Sequence, residues 1–257
     1  DLLFFTNKGK AFQTKMYDVP EGRRATRGKS VMNFLALAAD EKITSILPMP
    51  KAVKGAAVSI LMVTEQGVAK KVKAESFVDV RRSGLISIKL HESDLLMSAD
   101  FVEKGDESVV VSKKGQSIRF RENDVREMGR NAAGVRVMKL GKGDTVVGSQ
   151  VIKKSAKNPA LLVIMENGYG KRTDLGEYKT QRRGGSGIKT AKITPKTGAL
   201  MAARVVSDSE EEIVAISKKS QVIRVDIKEI PLLGRQTQGV RIMKLREGDS
   251  IASLICL

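Results

Sequence analysis

The sequence predicts an all-β, propeller-like fold in which five copies of one repeat each supply about four antiparallel strands. Two turns recur along the 257 residues with a period of about fifty residues. Short runs of β-branched and large apolar residues border these turns, which is typical of hairpin strands. One small sheet cannot bury both of its faces, so neighbouring repeats are expected to stack. We therefore expect one domain over residues 1–257, with approximate repeats at 1–52, 53–105, 106–157, 158–209 and 210–257.

Each repeat opens with an apolar strand that runs into the first turn. The predicted strands cover residues 2–6, 58–64, 108–112, 160–165 and 212–217. The turns that follow contain Gly9, Gly67, Gly115, Gly168 and Ser220. An apolar run of this length with a glycine or serine turn directly after it is the usual signal for a β-hairpin.

The strand that returns from the first turn is basic at alternate positions. Lys71 and Lys73 border Val72 in the second repeat, and Arg119 and Arg121 border Phe120 in the third. Alternate side chains of a strand point to opposite faces. This strand is therefore expected to turn its apolar groups inward and its cations to solvent.

A polar arm that contains arginine follows in every repeat and ends at a second glycine. These glycines are Gly28, Gly84, Gly134, Gly187 and Gly239. A further strand is predicted after each of them, over residues 31–37, 85–90, 135–140, 188–193 and 240–245. An acidic turn and a closing strand, such as residues 145–151 or 250–257, complete the repeat. Helix is nearly absent from this prediction.

The charge balance indicates a polyanionic partner. The chain has 46 Lys and Arg against 29 Asp and Glu, which gives a net charge of +17 and a pI near 10.0. A net charge with a magnitude of roughly 2 to 8 is enough to keep a small domain soluble. Because cations recur in every repeat, a ring of repeats would carry them as a band around its rim, and that band suits double-stranded DNA.

The predicted contacts with DNA are largely independent of base sequence, since no recognition helix is evident. An aromatic content of 4% without tryptophan disfavours the stacking platforms of single-strand binders. The predicted rim cations are Lys8, Lys10, Arg23, Arg24, Arg27, Lys29, Lys70, Lys71, Lys73, Arg81, Arg82, Lys113, Lys114, Arg119, Arg121, Arg126, Arg130, Lys171, Arg172, Lys189, Lys218, Lys219, Arg224, Arg235 and Arg241.

Other classes of function find little support. Cys256 is the only cysteine and His91 the only histidine, so we predict no disulfide, no metal site, no catalytic residue and no cofactor in this domain. No apolar run approaches the roughly 18 residues of a membrane span, and we expect an intracellular protein. A propeller that binds an acidic protein remains the alternative from another class, and it would show one localised cation cluster.

A glycine-rich segment in the fourth repeat is the sharpest local motif. It consists of Gln181, Arg182, Arg183, Gly184, Gly185, Ser186 and Gly187. Its glycines would let backbone N–H groups approach a phosphate closely between two arginines, although a flexible turn explains the same residues. It is not a P-loop, because the Gly-Lys-Ser/Thr ending and the following helix are missing.

The segment 181–187, preceded by Glu177 and Tyr178, resembles the signature box in the C-terminal domains of DNA gyrase A subunits: Gln, basic, Arg, Gly, Gly, basic, Gly. Residues 167–173 and 234–240 resemble other blades of that family, and the similarity covers the whole chain. Ser186 replaces the second basic residue, and the box lies in the fourth repeat instead of the first blade.

The resemblance implies a β-pinwheel of four-stranded blades that exchange strands, with this chain corresponding to blades two to six of six. It implies that the domain wraps duplex DNA as part of a topoisomerase that requires ATP and Mg²⁺. This enzyme would be an A2B2 complex with gyrase B, located in the bacterial cytoplasm and nucleoid. The family's catalytic tyrosine lies in another domain, and Tyr17, Tyr169 and Tyr178 do not match it. The C-terminal domain of topoisomerase IV, on the corresponding subunit of that enzyme, is the close alternative.

Overall fold

A computed structural model describes residues 1–21, 29–50, 53, 57–81, 83–208 and 211–257. These residues form β-strands connected by turns, and their helices are all short 3-10 helices. The helices are Met16–Asp18, Val31–Asn33, Ala74–Phe77, Glu122–Asp124, Leu175–Glu177 and Ile227–Glu229. The predicted all-β class is therefore confirmed. No helix among the described residues combines the length and the apolar character that crossing a membrane requires.

The strands in chain order are β1 Leu2–Thr6, β2 Lys10–Thr14, β3 Ile43–Pro48, β4 Val58–Thr64, β5 Val68–Lys73, β6 Leu85–Ile86, β7 Leu96–Glu103, β8 Glu107–Ser112, β9 Gln116–Arg121, β10 Val135–Arg136, β11 Val146–Ile152, β12 Ala160–Met165, β13 Tyr169–Asp174, β14 Ile188–Lys189, β15 Leu200–Val206, β16 Glu212–Ser217, β17 Val222–Asp226, β18 Val240–Arg241 and β19 Ile251–Cys256. Four of the five predicted first strands have the predicted bounds, and the other begins one residue earlier, at Glu107.

The chain divides into two compact units, residues 1–104 with 125–135, and residues 105–124 with 136–257. The first unit contains two four-stranded sheets, with strand orders β3-β1-β2-β6 and β10-β5-β4-β7. The second unit contains the four-stranded sheets β11-β8-β9-β14 and β15-β12-β13-β18 and the three-stranded sheet β17-β16-β19. Among the described residues, the sheet of the last repeat therefore has three strands, whereas the other four sheets have the predicted four.

The fourth strand of each four-stranded sheet comes from the following repeat. Strand β6 of the second repeat pairs with β2 of the first, and β18 of the fifth pairs with β13 of the fourth. Strand β14 pairs with β9 in the same way. This is the strand exchange that the resemblance implied.

The exchanged strands are only two residues long, much shorter than predicted. In the second repeat the ladder ends because Ser87 and Ile88 both donate their N–H groups to the carbonyl of Gly9. Ile242 and Met243 converge in the same way on the carbonyl of Gly168. In the first repeat the predicted strand 31–37 begins as the 3-10 helix Val31–Asn33 instead. The apolar residues of these segments, such as Ile88 and Met243, are buried beyond the end of the two-residue strand, where the pairing with the neighbouring strand has already stopped.

Apolar clusters lie between neighbouring sheets inside each unit. In the first unit Phe5 and Phe77 meet edge to face, with ring centroids 5.6 Å apart, within a cluster that includes Leu3, Ile60 and Met62. In the second unit one cluster joins the sheets of β8 and β12, and another joins those of β12 and β16. The burial of these side chains, at about 25 cal/mol per Å² of apolar surface, is the main stabilising term.

Candidate nucleic-acid interface

The polar arms lie along the returning strand of the preceding repeat in a fixed register. On β13, Arg172 donates its N–H to Pro231 (3.0 Å) and accepts one from Leu233 (2.8 Å). On β5, Met128 donates to the carbonyl of Lys71 (2.8 Å). On β9, Gln181 donates to the carbonyl of Arg119 (2.7 Å). The backbone therefore presents the arms of the third, fourth and fifth repeats in equivalent places.

Two lysines beneath these arms are fully buried. The ammonium group of Lys171 donates to the carbonyls of Gly234 (2.5 Å) and Arg235 (2.7 Å). The ammonium of Lys70 donates to the carbonyls of Ser87 (2.7 Å) and Arg130. Burial lowers the pKa of both lysines to about 8. Main-chain acceptors offset much of the cost of burying these cations, so Lys70 and Lys171 position the arms from inside.

The prediction that Lys70, Lys71 and Lys171 face a DNA duplex is wrong, because these side chains are only 0%, 8% and 0% exposed. Lys70 and Lys171 lie on the inward face of their strands, which they share with Val72 and Thr173. Lys71 lies on the opposite face, next to the arm of the following repeat, which the sequence of one hairpin does not reveal.

Ten of the predicted rim cations lie near the surface but already have partners. Lys8 pairs with Asp40 at 2.6 Å, and Arg119 and Arg224 pair with Glu107 and Glu212. The others bond a carboxylate, a main-chain carbonyl or the hydroxyl of Tyr169; they are Lys10, Lys73, Lys114, Arg172, Lys219, Arg235 and Arg241. Each would exchange an existing partner for a phosphate.

A third group consists of predicted contacts that are exposed and have no side-chain hydrogen bond or ion pair in the part of the chain that the structure describes. We call them the free cations: Lys29, Arg81, Lys113, Arg121, Arg126, Arg130, Arg182, Lys189 and Lys218. Both compact units contain members of this group. Arg23, Arg24, Arg27 and Arg82, which were also predicted as contacts, lie outside the described residues.

The glycine-rich segment 181–187 is held by its neighbours and is not a free turn. Gly184 donates its N–H to Val137 (2.7 Å), and Gly185 accepts from the N–H of Lys139 (2.8 Å). The Arg183 guanidinium donates to the carbonyls of Asp124 (2.8 Å) and Arg136 (3.1 Å). Arg183 is thus part of the scaffold.

Arg182 and Ser186 are exposed in the same segment, and among the described residues neither side chain has a partner. Arg235 repeats the role of Arg183 one blade later, since it donates to the carbonyl of Lys189 at 3.0 Å. Both arginines lie four residues before the second glycine of their repeat. Within the box, Arg182 is therefore the cationic side chain that is available to an anion.

The sequence prediction omitted Arg136, an exposed cation at a position where it included the cations of the next two repeats. Arg136 is the second residue of the exchanged strand β10, and its side chain faces solvent. Lys189 and Arg241 occupy the same position in the next two repeats, each two residues after the second glycine. The position two residues after the second glycine would therefore have identified Arg136 from the sequence.

No group of three or more His, Cys, Asp or Glu side chains that could hold a metal ion occurs among the described residues. His91 is exposed, and Tyr17 is 82% exposed on the surface. Tyr178 is buried, and burial raises its pKa. The described surface therefore offers charge for binding an anion.

Comparison with known proteins gives consistent matches. The family model of the DNA gyrase C-terminal domain, a β-propeller, matches five times, at residues 1–48, 59–103, 106–153, 161–207 and 211–257. The A subunit of DNA gyrase from Lawsonia intracellularis is 38% identical over 247 residues, which are 96% of this chain and 30% of that protein. The chain thus spans about a third of the length of this relative.

Two solved structures are also similar. The C-terminal domain of DNA gyrase A has a TM-score of 0.84 and 29% identity, covering 99% of this chain and 81% of that one. The C-terminal domain of DNA topoisomerase IV has a TM-score of 0.89 and 25% identity, covering 100% of this chain and 78% of that one.

Proposed function

This chain belongs to the DNA gyrase C-terminal domain family, and we propose that it binds duplex DNA through its free cations and bends the duplex around its surface. The observation that carries the proposal is the set of exposed, unpartnered cations in both compact units, on a chain with a net charge of +17. Their spread favours an extended polyanion over one localised acidic ligand.

Duplex DNA is a polyanion that suits this surface. It carries one negative charge per roughly 1.7 Å of its axis and releases counterions when Lys and Arg contact its phosphates. Bending 20 to 30 base pairs by 40 to 90° costs on the order of 1 to 6 kcal/mol, so several phosphate contacts together must offset this free energy. The repeated arms supply such contacts at regular intervals along the chain.

In the whole protein this activity would serve DNA topology. We propose that the chain is the DNA-wrapping part of a gyrase A protein, which acts with gyrase B in an A2B2 complex in the bacterial cytoplasm and nucleoid. ATP, Mg²⁺ and the tyrosine that cleaves DNA would belong to other domains and subunits. By itself the chain would bind plasmid DNA without nicking it.

Membership of a topoisomerase IV is the second candidate, supported by the TM-score of 0.89 to that enzyme's C-terminal domain. Ser186, which stands where the gyrase box has a basic residue, also favours it. A propeller that binds an acidic protein agrees less well with free cations in both units.

Salt dependence tests the proposal. Binding of a 60 base-pair duplex should be nearly the same for unrelated base sequences and should weaken steeply as salt is added. With Z phosphates contacted, log K should fall against log[salt] with a slope of about −0.9Z. Fluorescence anisotropy of labelled duplexes measures both properties. A flat salt dependence, or a strong preference for one base sequence, would contradict binding through the free cations.

A further inference from the structure

A basic pocket in the second unit lies outside the arms, and Arg241 is the only one of its lining residues among the predicted DNA contacts. Its volume is about 330 Å³, and Tyr169, Lys196, Arg241, Lys244 and Arg246 contribute to its lining. We name it the Tyr169 pocket.

Tyr169 is only 6% exposed and forms the wall of the pocket. It pairs across the sheet with Arg241, whose guanidinium donates a hydrogen bond of 3.1 Å to the tyrosine hydroxyl. The ammonium of Lys196 lies 5.5 Å from the ring centroid, and the guanidinium carbon of Arg241 lies 5.6 Å from it. Both cations are thus held against the aromatic ring by cation–π contact.

The four cations of the pocket have no carboxylate partner. Across residues 1–21, 29–50, 53, 57–81, 83–208 and 211–257, no ion pair joins Lys196, Arg241, Lys244 or Arg246 to an acidic side chain. Asp249 also lines the pocket, but its carboxylate already accepts from the Ser217 hydroxyl (2.5 Å) and the N–H groups of Lys219 (3.0 Å) and Ser250 (2.8 Å). The pocket is therefore lined by four cationic residues and one carboxylate that is already hydrogen-bonded, so its net charge is positive.

We propose that the Tyr169 pocket is an anion-binding site that holds a phosphoryl group, either of a free polyphosphate or of a nucleic-acid backbone. Arginine and lysine are the side chains that recognise phosphate oxygens, and arginine does so with two parallel donors. Because the hydroxyl oxygen of Tyr169 accepts from Arg241, its own proton is left to donate to an oxygen of the anion. The proposal stands without DNA wrapping, since a free polyphosphate satisfies the same groups.

The chemistry of Tyr169 supports this role. The hydrogen bond from Arg241 is the main cause that lowers the pKa of the tyrosine hydroxyl, with Lys196 adding to the effect. A more acidic hydroxyl is a stronger hydrogen-bond donor to an anion.

The aromatic residue of the pocket is particular to the fourth repeat. The residue that directly follows the first turn is Tyr169 there, and in the other repeats it is Lys10, Val68, Gln116 or Gln221. A general basic surface would not require an aromatic residue at one repeat only.

The three tyrosines and the absence of tryptophan make a direct test simple. With ¹³C-labelled tyrosine rings, titration of the chain with sodium pyrophosphate at constant ionic strength should shift one ring signal saturably. The variant Tyr169→Phe assigns that signal. Arg241→Gln and Lys196→Gln should each weaken binding by about tenfold or more, since a charge-assisted hydrogen bond contributes about 1.5 to 3 kcal/mol. Lys157→Gln, an exposed lysine outside the pocket, should bind pyrophosphate like the parent chain.

The signal of buried Tyr178 reports whether each variant is folded, so a folding defect is not mistaken for lost binding. Absence of a saturable shift, or equal affinity in the parent and both variants, would overturn the proposal. Added 20 base-pair duplex distinguishes the two sources of phosphate. If the duplex displaces pyrophosphate, the pocket holds a backbone phosphate; if pyrophosphate stays bound, the pocket serves a free anion.

Discussion

Replacing Gly187 by alanine is expected to destabilise the chain by about 3 kcal/mol or more, the largest effect of any single change in the box. Gly187 has a φ of +75°, and a Cβ at this position would lie 2.3 Å from the carbonyl oxygen of Ser117 on β9. That oxygen belongs to the backbone of the strand that pairs with β14, so it cannot move without breaking the exchanged pair. Thermal unfolding should show a midpoint lower by about 6 to 12 °C for a chain of this size.

Gly185→Ala is the matched control within the same box. The φ of Gly185 lies outside the left-handed region, and its added Cβ would meet nothing closer than 3.7 Å. The unfolding midpoint of this variant should stay close to that of the parent chain, or rise slightly because the unfolded chain loses freedom. Equal midpoints for Gly187→Ala and the parent would show that close packing against β9 does not constrain the box.

The same pair of variants separates the two interpretations of the box. If Gly185 leaves room for a phosphate, Gly185→Ala should weaken DNA bending while the fold remains stable. If the segment is only a turn, bending should be unchanged. Bending is read from energy transfer between dyes at the ends of a DNA fragment of about 100 base pairs, shorter than one persistence length of roughly 150 base pairs.

Removing three free cations should reduce DNA affinity at least tenfold at 0.1 M salt. The triple variant Arg121→Gln, Arg126→Gln, Arg182→Gln deletes three exposed guanidinium groups that have no partner in the described structure. Each lost phosphate contact lowers the steepness of log K against log[salt] by about 0.9, so the slope should fall by about 2.7. Anisotropy titrations at several salt concentrations give both the affinity and the slope.

A control of equal charge distinguishes contact from general attraction. Lys104, Lys154 and Lys157 are exposed in turns that join one repeat to the next, outside the arms. Their replacement by glutamine also removes three positive charges but should change the slope by much less. Equal losses in the two triple variants would mean that net charge, and not the arms, binds the duplex.

Sequence periodicity predicted the hairpins well because local signals determine them. The apolar run 58–64 followed by Gly67 contains both the strand and its turn, and the structure has the strand Val58–Thr64. The partner of each outer strand could not be read from one repeat. Strand β14 follows Gly187 in the fourth repeat, but its ladder lies on β9 of the third.

The candidate site was predicted less well for the same physical reason. Lys70 and Lys171 were predicted to be exposed although they share the inward face of their strands with Val72 and Thr173, and carbonyls of the next repeat's arm accept hydrogen bonds from their ammonium groups. Arg183 was expected to anchor an anion, but its donors bond the carbonyls of Asp124 and Arg136. Contacts between repeats, which local pattern does not encode, decide which cations remain free.

Wrapping of duplex DNA by this chain is tested most directly by the linking number of plasmid DNA. Relaxed plasmid is incubated with increasing amounts of the chain, relaxed again by a type I topoisomerase, stripped of protein and resolved into topoisomers. Wrapping predicts a shift of the topoisomer distribution in one direction that grows with the amount of bound chain. Saturating binding that leaves the distribution unchanged would contradict wrapping.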